Sequence, residues 1–202
     1  MNTDDEAGGA DMGFRAFVDE SAAGRGDDQQ EYLICAAIIS DGACDEVREQ
    51  LRSLLLPGQI KFHWTAESPA RRRKIVSQIV DLGPMSVVVT HLHARHKKIE
   101  RYRRKCLETL YHELISMPVF DVTLESRDRK QDSADREHIV ALQSQGLDTR
   151  VRIAHLRGGD EPLLWIADTV LGAINAEHLG DCSFMDELRP TLLVKTRTPE
   201  SK

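Results

Sequence analysis

The stretch FRAFVDES (Phe14 to Ser21), with the run YLICAAII (Tyr32 to Ile39) that follows it, decides how the chain is read. Phe14, Ala16 and Val18 alternate with Arg15, Phe17 and Asp19, the period of a β-strand. The second run is continuously apolar and bounded by Asp41 and Gly42, as a strand buried on both faces would be. A short loop over residues 22–30, rich in Ala, Gly and Asp, leaves room only for an antiparallel return, so the two runs form a hairpin. Downstream, helical and strand patterns alternate. Val47, Leu51, Leu54 and Leu55 mark a helix over 41–56. Ser68 and Pro69 open a second helix that Gly83 and Pro84 close. Strand patterns over 85–93, 119–125 and 150–156 are separated by helical ones over 97–116 and 133–145. After Gly158 and Gly159, Asp160 is placed to cap the most apolar helix of the chain, which runs to about His178. A hairpin followed by alternating helices and strands predicts an α/β fold, a mixed five-stranded sheet flanked by helices.

The chain has 202 residues, 41% hydrophobic and 30% charged. That is the size of one ordinary domain. Residues 1–13 read as a flexible acidic tail, 14–180 as the domain and 181–202 as a C-terminal extension or tail. No apolar run is long enough to cross a bilayer, and Met1 to Asp11 lack the basic and apolar parts of a secretory signal, so a cytoplasmic location is expected. The four cysteines (Cys35, Cys44, Cys106, Cys182) include no Cys-x-x-Cys pair, which argues against a disulfide framework and a structural zinc knuckle.

Three carboxylates stand where acids are least expected. Asp168 lies within LLWIADTVL (residues 163–171), and its neighbours three and four residues away are Leu164, Trp165, Leu171 and Gly172. An ionised carboxylate on such a face requires an ion pair, several hydrogen bonds or a metal. Asp19 closes the first strand beside Glu20. Glu125 ends the strand begun at Val119, with Asp128 three residues on. Carboxylates from two strand ends and one helix would form an oxygen-rich site suited to Mg²⁺ or Mn²⁺. A pair of such ions about 3.5 to 4 Å apart is a recurrent device for phosphodiester hydrolysis. A turn-forming Asp19, a surface Glu125–Arg127 pair and an Asp168 paired with arginine are the structural alternatives.

The segments FVDES (17–21), IKFHW (60–64) and WIADTVLGAIN (165–175) together resemble the domain-of-unknown-function family numbered 3800, whose members have a ribonuclease H-like fold. The resemblance covers most of residues 14–178, although Ala22 and Ala23 stand where the family has Gly. It implies acids on the first strand, at the end of the fourth strand and on a late helix: Asp19, Glu125 and Asp168. Glu20 would be an assisting acid, Asp128 a rival for the middle position, and Lys61 a neighbour that positions phosphate or pairs a carboxylate. The activity implied is metal-dependent cleavage of DNA, RNA or a hybrid. A non-catalytic ribonuclease H-like module with a protein or nucleic-acid partner, in a defence or mobile-element system, is the alternative.

Although the net charge is −6, Lys61 to Lys105 holds twelve basic and three acidic residues. Arg71, Arg72, Arg73 and Lys74, with Arg95, Lys97, Lys98, Arg101 and Arg104, form a candidate phosphate-backbone track. His91, His93 and His96 lack a spacing that completes a zinc site, and His63 and Trp64 are placed either to stack on a base or to pack against the sheet. No P-loop, dinucleotide fingerprint or Gly-x-Ser-x-Gly elbow occurs, which disfavours Walker-type NTPase, hydride-transfer and serine-esterase chemistry.

Overall fold

The computed structural model describes residues 13–94 and 99–201. Strands β1 (Phe14–Gly24), β2 (Gln29–Ser40), β3 (Met85–Ala94), β4 (Asp121–Glu125), β5 (Arg152–Leu156) and β6 (Leu192–Arg197) form one sheet in the order β5-β4-β1-β2-β3-β6. β1, β2 and β3 are antiparallel neighbours, β4 and β5 run parallel to β1, and β6 runs parallel to β3. This is the expected α/β class, a mixed sheet flanked by helices. The sheet has six strands rather than five. The sixth comes from the segment read as an extension or tail: α6 (Ser183–Leu188) packs against the helices, and β6 then joins the far edge of β3.

Period-two alternation divides the core between the two faces. Phe17, Leu33, Cys35, Ala37 and Val88 pack on α1 (Cys44–Arg52), α2 (Pro69–Leu82) and α5 (Leu164–His178). Ala16, Val18, Ile34, Val87 and Val89 pack on α3 (Ile99–Ser116) and α4 (Arg129–Ser144). Local signals set the helix ends. Ser68 accepts a hydrogen bond from the Arg71 N–H, Pro69 occupies the first turn of α2, and Gly83 ends it at φ +63°. At α5 the predicted Asp160 cap is not formed: the helix starts after Leu163 without a side-chain cap, and Glu161, a buried carboxylate held by the Arg48 guanidinium, accepts the Leu163 N–H just before it.

One departure from the expected hairpin creates the site. β1 and β2 continue as a paired ribbon to Gly24 and Gln30, with only residues 25–28 as the connecting loop, whereas β4 pairs β1 only as far as Val18. Asp19 is thus the first residue beyond the split between β1 and β4, not the last residue of a strand. The tail expected over residues 1–13 falls outside the described residues except for Gly13. All four cysteines are free, with Cys35 in the core. No helix among the described residues is long and apolar enough to cross a membrane.

Candidate active site

Asp19 of β1, Glu125 of β4 and Asp168 of α5 line one cavity of about 670 Å³, together with Lys61 and His63. α5 lies across β1 and β2, and its largely apolar surface makes it the most buried helix, with ten buried residues. Asp168 is carried to the sheet by that packing. Among the described residues its carboxylate is met without arginine: the Trp64 N–H donates to Oδ2 at 2.8 Å, and His63 Nδ1 lies 2.9 Å from Oδ1 and 3.0 Å from Oδ2. The hydrogen bond to Asp168 raises the His63 pKa above the ordinary histidine value. Lys61 Nζ donates to Glu125 Oε1 at 2.8 Å. Burial works against the Lys61 charge, but Glu125 outweighs it and the pKa lies above the usual lysine value.

Asp19 is the strained member of the group. Its Oδ1 accepts the Glu20 N–H at 2.7 Å, but burial, then the charges of Glu125 and Asp168, push its pKa up to about 8. Two glycines permit this packing. A Cβ on Gly158 would lie 2.3 Å from Glu125 Oε1 and 2.9 Å from Lys61 Nζ, and one on Gly172 would lie 2.1 Å from the Trp64 ring. The backbone of α5 therefore comes close enough for the Trp64 N–H to reach Asp168. Trp64 packs edge-to-face on Phe184 of α6 at 4.9 Å and against Gly172 of α5, so its ring is set among helices rather than on the sheet.

Other expected residues are placed elsewhere. Asp128 caps α4, accepting from the N–H groups of Lys130 and Gln131 at 2.9 Å, and Gln131 completes a capping box. Its Oδ1 serves a helix end, and Asp128 is not among the residues lining the cavity that holds Asp19, Glu125 and Asp168. The Glu20 carboxylate points to the α3 face, because adjacent strand residues face oppositely, and is bound by Arg103 and lies 3.7 Å from Arg127. Glu20 nevertheless lines the same cavity as Asp19, with its carboxylate held by these arginines. Arg103, a member of the basic run by sequence, is 2% exposed and also binds Asp135. Asp132, Asp135 and His155 gather potential ligand atoms within 4.8 Å of one another there, but Arg103 and Arg127 already compensate Asp135.

The basic track is similarly divided. Arg71 is tied to Glu67 and the Leu54 carbonyl, whereas Arg72 lines the cavity with its guanidinium 4.8 Å from the Trp64 ring centre. Arg73, Lys74, Arg101 and Arg104 are exposed. Arg95, Lys97 and Lys98 lie outside the described residues. The sequence reading did not join His63 to Asp168 or single out Gly158 and Gly172 as positioning residues. The IKFHW segment was the available signal for His63, whereas the glycines are explained only by the close approaches.

No protein-family model matches the chain, and no curated protein does. Among solved structures, it is similar to a chain in the PCNA:RNase HII complex from Archaeoglobus fulgidus (16% identity, 86% of this chain and 78% of that one, TM-score 0.48). It is also similar to a mutant of Bst-RNase HIII (12%, 84% and 54%, TM-score 0.49) and to ribonuclease H2 from Pyrococcus horikoshii OT3 (16%, 87% and 76%, TM-score 0.45). These likenesses are distant. The α/β assignment rests on the sheet and its flanking helices described above.

Proposed function

We propose that the protein is a divalent-metal-dependent nuclease in which Asp19, Glu125 and Asp168 form the metal-binding carboxylate set. The supporting observation is the convergence of these three side chains, from β1, β4 and α5, in one cavity. The donor set suits hard cations, since it consists of carboxylate oxygens without thiolate. Burial, and after it the charges of Glu125 and Asp168, raise the Asp19 pKa, and a cation held by these acids would favour the ionised carboxylate. The resemblance of the FVDES, IKFHW and WIADTVLGAIN segments to the domain-of-unknown-function family numbered 3800 supports the same set.

Asp19, Glu125 and Asp168 would hold Mg²⁺ or Mn²⁺. When bound, such ions neutralise phosphodiester oxygens and make water a stronger nucleophile near neutral pH. The Trp64 N–H and His63 keep the Asp168 oxygens in a fixed direction. Lys61 holds Glu125, and its ammonium faces the cavity where a phosphate would approach. Exposed Arg73, Lys74, Arg101 and Arg104 are candidate contacts for the rest of the strand.

The ion pairs of Lys61 with Glu125 and His63 with Asp168 favour one second reading, a non-catalytic binding module whose acids are already satisfied. Mn²⁺ titration followed by electron paramagnetic resonance separates the two. The nuclease reading expects binding that is lost in Asp19→Asn and Asp168→Asn and retained in Asp128→Asn. Absence of binding, or dependence on Asp128, would overturn it.

A further inference from the structure

The cavity extends beyond the three acids. Past Asp168 its floor is the α5 surface at Leu171, Gly172 and Ala176, and Leu179, 90% exposed, stands at the lip. On one side is Arg72. Its Nε donates to the Trp64 carbonyl at 2.9 Å and its guanidinium stacks over the Trp64 ring, so two contacts fix a cationic plate that lines the cavity. At the far end, both ends of the Asn175 amide are engaged: Oδ1 accepts from Arg25 at 2.8 Å, and Nδ2 donates to Ser21 Oγ at 3.1 Å. The Ser21 hydroxyl therefore keeps its own proton for another acceptor. Ser21 shares a strand face with Asp19 two residues away, about 6.8 Å along the strand.

We propose that this extension is a nucleoside subsite taking one unpaired nucleotide of a polynucleotide strand, with its base on the Arg72 guanidinium above the Gly172–Ala176 surface and its sugar beside the Ser21 hydroxyl. The inference rests on the nuclease reading for the position of the adjoining phosphate. Three features favour a nucleoside over a bare phosphate: an apolar floor, a planar cation and a neutral hydrogen-bond donor. Small-molecule sites combine apolar lining with a few placed polar groups in this way. Arginine planes stack on bases whose faces are uncovered. A base within a duplex has both faces covered by its neighbours, which is why the nucleotide must be unpaired.

The test uses adenosine and ribose as probes of the full chain in EDTA, observed by saturation-transfer NMR. Neither probe carries a phosphodiester, so hydrolysis and metal binding do not enter the readout. Adenosine is expected to receive saturation chiefly at its base protons, and ribose to receive none at the same concentration. Arg72→Met should weaken adenosine binding by about fivefold or more, the low end of what base stacking contributes. Ala176→Phe, which fills the floor, should abolish it, with circular dichroism confirming that both variants fold. Equal signals from adenosine and ribose, no adenosine signal, or unchanged binding in both variants would overturn the subsite. Metal-dependent cleavage without adenosine binding would reject the subsite while leaving the nuclease reading in place. Adenosine binding without cleavage would retain the subsite and reject the nuclease reading.

Discussion

Replacing Asp19 with Asn should make the metal-free protein less sensitive to pH. In the folded chain burial and the charges of Glu125 and Asp168 push the Asp19 pKa up to about 8, from an ordinary value of 3.8. Between those values the folded protein holds a proton that the unfolded chain releases, so stability falls as pH rises, by about 1.4 kcal/mol per unit. The contribution is fully present below the unfolded pKa and is lost as pH rises through the folded one. From about pH 5.5 to about pH 7.5 the parent should lose about 2.7 kcal/mol from this group, and the variant should not. Urea denaturation of both proteins in EDTA at the two pH values gives the difference, in which the remaining titrating groups largely cancel. Saturating Mg²⁺ should flatten the parent's slope, because a cation at the carboxylate replaces the proton. Changes with pH that agree within about 0.5 kcal/mol between parent and variant would refute the reasoning that Asp19 is held protonated by its neighbours.

The two glycines, the buried Arg103 and the capping Asp128 give further tests. Gly172→Ala drives a methyl group into the Trp64 ring and should cost about 1 to 3 kcal/mol in urea denaturation while weakening Mn²⁺ binding, through displacement of the Trp64 N–H from Asp168. Gly158→Ala is aimed at Glu125 and Lys61 instead, so Mn²⁺ affinity should fall more than stability; an unchanged affinity would show that Glu125 is not held by this contact. Arg103→Met leaves Asp135 and Glu20 without their buried partner and should cost about 3 to 5 kcal/mol, measured by denaturation, whereas a loss under about 1 kcal/mol would contradict the buried network. Asp128→Ala should cost about 1 kcal/mol through the lost cap of α4, with Mn²⁺ binding intact.

The site was legible where one local rule had one reading. Asp168 stood out because an acid on an apolar helical face requires compensation, and the compensation is present as the Trp64 N–H and His63. Asp19 was placed beside a cleft, but for a different reason: no local signal states that β4 ends while β1 and β2 continue, since that depends on the pairing of distant segments. β6 was missed on the same account, because its short alternation of Leu192, Val194 and Thr196 acquires a partner only in β3, about a hundred residues earlier. Other information was present but read otherwise. Asp128 and Gln131 have the spacing of a capping box. Period two already separates Glu20 from Asp19, and Arg103 sits three, four and seven residues before Cys106, Leu107 and Leu110, on the helical face that packs inward. By charge density alone it belongs to the basic run between Lys61 and Lys105.

The most direct test of the central claim is cleavage of labelled single-stranded, double-stranded and hybrid nucleic acids with Mn²⁺, Mg²⁺ or EDTA, running Asp19→Asn, Asp168→Asn and Asp128→Asn beside the parent. The account predicts metal-dependent cutting by the parent and by Asp128→Asn, absent in EDTA and abolished in Asp19→Asn and Asp168→Asn. No cutting of any substrate by the folded parent, or cutting that survives loss of both Asp19 and Asp168, would contradict it.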